Sequence, residues 1–402
     1  MIPFAMKTPP RALLVLFALA SVAGLRAAVD KFTVTVTNDL DIARPAEVIV
    51  VPWGEIAGRL PPHTLPSHIA VKDAGGALVP DQLINFRPEE RRDYYQSLIF
   101  QHDFAAGEHT ATFTIEKTDA PIPPFPAKVF ARYVPERFDD FAWENDRIAH
   151  RIYGQALETP VAGKDQMVSS GVDVWAKRVR YPIVDRWYLM GHYHEDTGEG
   201  LDMYDVGTSR GDGGTGIWDG KALHVSHNWK TWKVLANGPV RVVFELTYEP
   251  WDAGNGVMVA ETKHFIVDAG HNLDDVTSTF TFQGHETLTV ALGLGKHPKA
   301  ASDLTKQSDE KESWLTVWEK YPRASIGCAV AVDPDAFAGF AEDGLNHLLL
   351  ANVKSGQPLH YFLGACWDKS GDFAAKDDWS SYVAAAVERA QSPLKVSFGA
   401  AP

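Results

Sequence analysis

Three consecutive stretches decide the fold: VLANGPVRVVFELTYEPW at residues 234–251, VMVAETKHFIVDAG at 257–270 and VTSTFTFQG at 276–284. Each is rich in β-branched and aromatic residues and is bounded by Gly, Pro, Asn or Asp, which is typical of antiparallel strands joined by turns. Stretches of the same kind recur at 288–295, 323–332, 347–356 and 358–367. This pattern predicts an all-β, mainly antiparallel protein built as a large stacked double sheet with few helices.

The residues before this region predict a smaller unit. FTVTVTN at 32–38 and AEVIVVP at 46–52 are strand-like, and SLIFQHDF at 97–104 with HTATFTIEK at 109–117 predicts a hairpin. We therefore expect an N-terminal β-sandwich portion over residues 29–118.

A Pro-rich segment, TDAPIPPFPAK at 118–128, predicts a linker, so that residues 129–402 form the second and larger part. Residues 377–391 predict the clearest helix, because Asp377 or Asp378 can cap it and Pro393 follows its end. A last strand is predicted at 392–398.

The first 28 residues predict a cleavable signal peptide. Lys7 and Arg11 precede the apolar run ALLVLFALASVAG at 12–24, which is shorter than the ~20 residues that span a bilayer. Cleavage is compatible with the small residues at 21–23 or at 27–28. No cysteine follows that could carry a lipid, so we expect a periplasmic or secreted protein with no membrane insertion after signal cleavage.

Composition narrows the class of partner. The 402 residues carry a formal charge of −14, which becomes −17 when Lys7, Arg11 and Arg26 leave with the signal peptide. Because no basic run accompanies this acidity, nucleic acid and anionic membranes are disfavoured as partners. The 12 Trp, 12 Tyr and 20 Phe offer flat platforms for sugar rings. Cys328 and Cys366 are either a disulfide of an exported protein or two buried thiols.

The segment ENDRIAHRIYG at 144–154 places different chemistry on the two faces of a predicted strand. One face carries Arg147, Arg151 and Tyr153, and the other carries Ile148, His150 and Ile152. His150 is therefore predicted to be a core histidine. The two arginines either clamp a substrate carboxylate or pair with nearby acids such as Asp146 and Asp173.

A second segment, SSGVDVWAKR at 169–178, presents Asp173, Trp175 and Lys177 on one face if it is a strand. An acid, an aromatic ring and an amine on one face suit a sugar-binding cleft. A solvated edge strand has the same pattern.

The third segment runs from His192 to Gly214 and contains His194, Tyr204 and Arg210. His192 and His194 share a face of an extended chain, and with Asp196, Glu199 and Asp202 they offer ligands to a divalent cation. Acid–base chemistry by a histidine and a tyrosine is the more economical interpretation. We therefore predict no cofactor, with the divalent cation as the alternative.

At these segments the chain resembles a family of exported bacterial proteins, domain-of-unknown-function family 4861. The motifs are FAWENDRIAHRIYGQAL (141–157), SGVDVWAKR (170–178), YHEDTGEGLDMYDVGTSRGDGG (193–214) and VDAGHNLDDVTSTF (267–280). The resemblance spans nearly the whole mature chain. It implies a fold similar to galactose-mutarotase-like supersandwiches and an association with polysaccharide-degrading gene clusters, but it transfers no catalytic residue.

The leading hypothesis is a lyase that cleaves uronic-acid-containing, pectin-like oligosaccharides or polysaccharides by β-elimination. This reaction needs a base, a cation for the carboxylate and an acid for the leaving oxygen. The base is His194 or Lys177, the clamp is Arg147 with Arg151, and the acid is Tyr204 or Tyr153. Further substrate-binding candidates are Asp173, Trp175, His192, Asp202 and Arg210.

Two alternatives remain open. The first is a glycoside hydrolase that uses Asp173 with Asp202 or Glu199, or an aldose mutarotase that uses His and Glu, on the same substrates. The second is a non-catalytic glycan-binding protein. The sugar, the linkage and the oligomeric state are left open by the sequence.

Overall fold

The computed structural model describes residues 28–86, 95–159, 166–297, 299–301, 303–311 and 313–400. The predicted signal peptide lies outside the described residues except for Ala28. Half of the structure is strand, and the all-β, mainly antiparallel prediction is confirmed. The strands, numbered along the chain, are β1 Lys31–Thr37, β2 Arg44–Pro52, β3 Ile69–Lys72, β4 Leu78–Val79, β5 Asp81–Ile84, β6 Ser97–Phe104, β7 Thr110–Lys117, β8 Phe130–Val134, β9 Asp140–Glu144, β10 Ala149–Ile152, β11 Val172–Lys177, β12 Gly200–Asp202, β13 Asp212–Trp218, β14 Leu223–His224, β15 Thr231–Asn237, β16 Arg241–Asp252, β17 Met258–Asp268, β18 Leu273–Thr281, β19 Leu288–Gly295, β20 Asp303–Asp309, β21 Trp314–Tyr321, β22 Ala324–Val332, β23 Phe337–Glu342, β24 Asn346–Val353, β25 Pro358–Trp367 and β26 Lys395–Ala400.

Helices are short and few among the described residues. They are α1 Trp53–Ala57, α2 Val184–Met190 and α3 Lys376–Gln391, with 3₁₀ turns at Pro66–His68, Pro135–Arg137 and Gln155–Glu158. The predicted C-terminal helix is confirmed as α3, and the Asp378 carboxylate accepts hydrogen bonds from the Ala374 and Ala375 N–H groups before its first turn. None of the described helices is long and apolar enough to cross a membrane.

The N-terminal sandwich consists of the sheets β26-β1-β7-β3-β4 and β2-β6-β5. Alternate side chains of β1, such as Phe32 and Val34, are buried between the two sheets. The predicted hairpin of β6 and β7 is wrong: β6 pairs with β2, and β7 pairs with β1 in the other sheet. The turn that ends at Glu108 therefore takes the chain from one sheet of the sandwich to the other. Each sheet thereby gains a strand that covers the core between them.

Strand β26 also belongs to this sandwich, since it pairs antiparallel with β1 from Phe32 to Thr37. The sequence assigned this strand to the C-terminal part. The N-terminal sandwich is thus completed by the last strand of the chain.

The larger part packs an eight-stranded sheet, β15-β16-β17-β18-β25-β22-β21-β20, against two five-stranded sheets. These are β14-β13-β19-β24-β23 and β12-β11-β10-β9-β8, which adjoin at a parallel bridge between Val172 and Gly211. α3 covers the outer face of the large sheet. Cys328 and Cys366 lie on the adjacent strands β22 and β25 as buried free thiols, so the disulfide alternative is not observed.

Candidate active site

The sheet β12-β11-β10-β9-β8 has an apolar face and a charged face because side chains alternate along its strands. On β11, Val174 belongs to the apolar core, while Asp173, Trp175 and Lys177 point to the other side. β11 is an inner strand, paired with both β10 and β12, and all three of these side chains are buried. The solvated edge strand considered from the sequence is therefore wrong.

Arg151 of β10 is the centre of the charged face. Its Nε donates to Asp173 Oδ2 at 2.9 Å, and its Nη2 donates to Asp202 Oδ2 at 3.1 Å. Nη1 lies 3.8 Å from Asp140 Oδ2 and has no hydrogen-bond partner among the described residues. One guanidinium thus lies among three acidic side chains, and its Nη1 is buried without a hydrogen bond among the described residues.

Burial changes the charge of this cluster. Burial lowers the pKa of Arg151, but the combined attraction of Asp173, Tyr153, Asp202 and Asp140 outweighs that effect and raises its pKa well above the usual value. Burial raises the pKa of Asp140 to about 6, although Arg151 opposes the shift. The pKa of Asp202 is raised well above 3.8 by burial and by the charge of Asp173. The cluster therefore carries less negative charge near neutral pH than three ionised carboxylates would.

A cavity of about 430 Å³ opens beside Arg151. It brings together five of the predicted site residues with one further cation. Its lining is Arg137, Arg151, Tyr153, Leu157, Met167, His194, Asp202, Met203, Tyr204, Asp205, Val206 and Gly207.

His194 supplies an accessible imidazole to this cavity, with 67% of its side chain exposed. Its Nδ1 lies 3.2 Å from the Asp202 carbonyl oxygen and 3.5 Å from Asp202 Oδ2. This contact orients the imidazole ring and engages Nδ1 with Asp202. Nε2 is therefore the ring nitrogen that is available for proton transfer.

The two tyrosines of the cavity are both buried, at 4% and 5% exposure, but they have different neighbours. Tyr153 lies against Arg151, whose guanidinium carbon is 5.3 Å from the ring centroid. Burial, then the charge of Asp173, raises the pKa of Tyr153 well above 10, so the phenol keeps its proton. The hydroxyl oxygen of Tyr204 is itself buried and lacks a hydrogen-bond partner in the described part of the chain. Tyr153 is therefore the tyrosine that lies beside the Arg151 guanidinium.

Arg137 lines the cavity but was not among the residues predicted from the sequence. It ends the 3₁₀ turn between β8 and β9, and its Nη1 donates to Asp140 Oδ1 at 3.2 Å. Phe138 and Asp139 then adopt left-handed φ values of 51° and 63°, which only a constrained turn imposes on non-glycine residues. The available signal for Arg137 was its place seven residues before the ENDRIAHRIYG segment.

Lys177 and Trp175 do not line the cavity. The Lys177 ammonium donates to Glu144 Oε2 at 2.7 Å and to the Asn145 and Tyr181 carbonyls at 2.9 Å. All three of its N–H donors are therefore used in hydrogen bonds within the protein. Trp175 is 1% exposed, with its ring stacked on Trp187. Lys177 as a base and Trp175 as a sugar platform are both wrong, because α2 covers this face.

The predicted clamp of Arg147 with Arg151 is also wrong. Arg147 lies in the turn between β9 and β10, where its Nη1 donates to Asp372 Oδ1 at 2.6 Å. It lines a different cavity from Arg151. Arg137, not Arg147, accompanies Arg151.

The remaining binding candidates lie elsewhere. Arg210 is 1% exposed, donates to Ser170 Oγ at 2.8 Å, and has its pKa lowered to about 10 by burial. His192 is exposed and does not line the cavity. Asp173 contacts the cavity only through Arg151.

The proposed carboxylate pairs and metal ligands are engaged by other partners. Glu199 accepts from the Tyr181 hydroxyl at 2.7 Å and from Trp187 Nε1 at 3.1 Å, and it lies outside the cavity lining. Asp196 pairs with Arg178. Among the described residues no group of three potential metal ligands is present.

The core prediction for His150 is confirmed. Its side chain is 1% exposed and its ring stacks on Trp143 at 5.4 Å between centroids. Burial lowers the pKa of His150 to about 4, so it is neutral at physiological pH.

Comparison with known proteins gives one family and one curated relative. The sequence model described as "Domain of unknown function (DUF4861)" matches residues 36–396. The chain is similar to "Uncharacterized protein P7" of Formosa agariphila, with 30% identity over 382 residues that cover 90% of this chain and 92% of that protein.

Two solved structures from Enterococcus faecalis are similar at a TM-score of 0.48. One is a protein in glycosyl hydrolase family 38, 9% identical, and the other is an α-mannosidase, 10% identical. Each alignment covers 92% of this chain, and the chain spans about half the length of each, 48% and 46%.

Proposed function

The chain belongs to the family of the domain of unknown function DUF4861, and from that premise we propose that it is a carbohydrate-active lyase that cleaves uronic-acid-containing oligosaccharides at the Arg151 cavity. The observation that carries the proposal is a single cavity with two guanidinium groups, an oriented imidazole and a protonated phenol. Export to the periplasm or the medium is part of the proposal, and fractionation of cells that express the chain with and without residues 1–28 tests it.

Recognition of a uronate is supported by Arg137 and Arg151. Both line the cavity, and guanidinium groups form charge-assisted hydrogen bonds to carboxylates; the Nη1 of Arg151 makes no hydrogen bond among the described residues. The raised pKa values of Asp140 and Asp202 reduce the repulsion that an incoming anion would meet. A carboxylate bound between the arginines has its developing enolate charge stabilised in the transition state.

The elimination uses two further groups of the cavity. His194 Nε2 removes the proton from the carbon beside the carboxylate, and the electron pair of that C–H bond forms the new C=C bond as the bond to the leaving oxygen breaks. Tyr153 gives its proton to that oxygen. The histidine then returns a proton to solvent and the tyrosinate regains one, so the enzyme is restored and the products are an unsaturated uronate and a free hydroxyl.

The test is ultraviolet absorbance of the unsaturated product over a panel of uronate oligosaccharides. We expect His194→Ala and Tyr153→Phe each to lower kcat by roughly 10²- to 10⁴-fold, since each removes one proton-transfer group. Arg137→Met should lower kcat as well as raise KM, because Arg137 contributes both to carboxylate binding and to stabilisation of the enolate charge. His192→Ala is the matched control, because His192 lies in the same loop outside the cavity lining. No absorbance from intact protein across the panel, or an equal loss in His192→Ala, contradicts the proposal.

Hydrolysis is the second candidate, because Asp202 and Asp205 both line the cavity and the raised pKa of Asp202 suits a general acid. It would release a reducing end without a chromophore. Mutarotation would change only the anomer ratio, and a non-catalytic glycan-binding protein would bind the panel without product. Assays of reducing ends and of anomers on the same panel separate these outcomes.

A further inference from the structure

A second cavity, of about 360 Å³, lies beside the Arg151 cavity and has a different character. Its walls are aromatic, formed by Tyr133 of β8 and by Trp229 and Trp232 at the start of β15. β15 is the edge strand of the eight-stranded sheet, so this cavity lies at an open margin of the fold.

Trp232 is the accessible ring of the cavity, with 43% of its surface exposed. The Tyr133 ring stacks on it at 5.4 Å between centroids and 23° between planes, and the Trp229 ring meets Tyr133 edge-on at 5.9 Å. The stack holds the indole of Trp232 in a fixed plane. A rigid, exposed indole presents a flat apolar surface of the kind that covers the C–H face of a pyranose ring.

Trp229 adds an unused hydrogen-bond donor. Its side chain is 4% exposed, yet its indole Nε1 is buried with no hydrogen-bond partner among the described residues. A buried donor without a partner carries a desolvation cost that a ligand hydroxyl would remove. A sugar hydroxyl in this cavity is the partner that we infer for this donor.

The charged groups of the cavity select against a second uronate. Asp139 presents a carboxylate that accepts from the Tyr133 hydroxyl. Lys230 is already drawn to Gln155 Oε1 at 3.2 Å and to Glu249 Oε1 at 3.4 Å. The lining of this cavity therefore has no arginine, unlike that of the first one, and it favours a neutral ring rich in hydroxyl groups.

The two cavities share their dividing wall. In one chain segment Arg137 lines the first cavity and Asp139 the second, and in another Tyr153 lines the first and Gln155 the second. Residues two apart in a chain have Cα atoms at most about 7 Å apart, so the two cavities lie close enough to take neighbouring units of one oligosaccharide. Gly154 allows the segments to meet here, since a Cβ on it would lie 1.8 Å from the Asp139 carbonyl oxygen.

We propose that this aromatic cavity is a second sugar subsite, which stacks a neutral pyranose next to the uronate held at Arg151. The inference rests on the proposed function and deepens it: the substrate is an oligosaccharide in which a uronic acid adjoins an uncharged sugar, not a run of uronic acids.

The test measures binding by calorimetry in the His194→Ala background, which prevents turnover. The probes are a single uronic acid, a uronate homotetrasaccharide and a tetrasaccharide of alternating uronic acid and neutral sugar. Trp232→Leu keeps an apolar side chain without a ring, and its folding is checked by its unfolding midpoint. The control is Trp53→Leu, which removes a comparable indole of the N-terminal sandwich that also packs on a tyrosine, Tyr95.

We expect Trp232→Leu to weaken the alternating tetrasaccharide by roughly 10- to 100-fold, by analogy with the stacking of a base on an aromatic ring, and to leave the single uronic acid unchanged. Trp53→Leu should leave both unchanged. The subsite alone is overturned if Trp232→Leu matches Trp53→Leu, if it weakens both ligands equally, or if the homotetrasaccharide binds as tightly as the alternating one. If the His194→Ala protein with Trp232 intact binds none of the three probes, the proposed function is wrong, and the subsite proposal is wrong with it.

Discussion

Arg151 illustrates, at the scale of a residue, how one buried cation organises a site. Asp140, Asp173 and Asp202 come from three strands, and each has its charge offset by this guanidinium. Buried acids are tolerated only when they are paired or protonated, so the arginine both holds the strands in register and fixes the charge of the cavity.

Substitution of Arg151 by Met should therefore destabilise the protein by about 3–5 kcal/mol, because it leaves buried acids without a counter-charge. Asp140 already has a folded pKa of about 6, above its unfolded value, so the folded state binds protons that the unfolded state releases. Stability from such a group is present at low pH and is lost as the pH rises through the folded pKa. The deficit of Arg151→Met should thus be larger at pH 8 than at pH 5, as measured by urea unfolding.

Arg241→Met is the control for this prediction. Arg241 pairs with Asp268 at 2.6 Å, but both side chains keep contact with solvent, at 18% and 17% exposure. A smaller deficit, equal at the two pH values, is expected there. Equal deficits of Arg151→Met at pH 5 and pH 8 would show that the acids around it do not titrate as inferred.

The sequence pattern predicted part of the cavity lining but gave Arg151 the wrong partner arginine. Tyr153, His194 and Asp202 belong to segments whose polar residues could not be assigned to the apolar core. These segments meet at one cavity. The error with Arg147 has a physical cause, since its partner Asp372 is 225 residues away and no local pattern reports it.

Among the elements, β11 shows what alternation can and cannot predict. Alternation correctly placed Asp173, Trp175 and Lys177 on one face. It could not predict their burial, because that depends on α2, a seven-residue helix in a segment with the composition of a loop. Glu144 fixes α2 there: its carboxylate accepts from the Ile183 and Val184 N–H groups at 2.9 Å and from Lys177 at 2.7 Å.

A double-substitution cycle measures this arrangement. Lys177→Met should cost about 3–5 kcal/mol, because it leaves the Glu144 carboxylate buried without its ammonium, and Glu144→Gln should cost a similar amount by leaving the ammonium unpaired. The double variant should cost much less than the sum, since Gln still accepts from the helix N–H groups and no charge remains. Additive costs in urea unfolding would mean that the two side chains stabilise the protein independently.

For the whole molecule, the chain termini meet in one sandwich. The sequence predicted two β units but could not show that β26 returns to β1, because strand pairing across more than 350 residues leaves no local pattern. Hydrogen bonds from polar side chains to backbone groups join the two sandwiches. Gln82 accepts from the Val240 and Arg241 N–H groups at 3.0 and 2.8 Å and donates to the Arg241 carbonyl at 2.8 Å.

Removal of residues 392–402 should therefore weaken the N-terminal sandwich selectively. The truncation removes Val396 and Phe398 from the core and leaves β1 as an unprotected edge strand. We expect the free energy of unfolding to fall by roughly 3–5 kcal/mol and the tendency to aggregate to rise. Of the 12 tryptophans only Trp53 precedes the linker, so tryptophan fluorescence reports mainly on the larger part and circular dichroism reports on both. In urea the dichroism midpoint of the truncated chain should fall below its fluorescence midpoint, whereas in a chain ending at Ala400 the two should coincide. If both midpoints fall together in the truncated chain, the contacts of Gln82 and its neighbours make the two sandwiches a single cooperative unit, and the selective weakening is wrong.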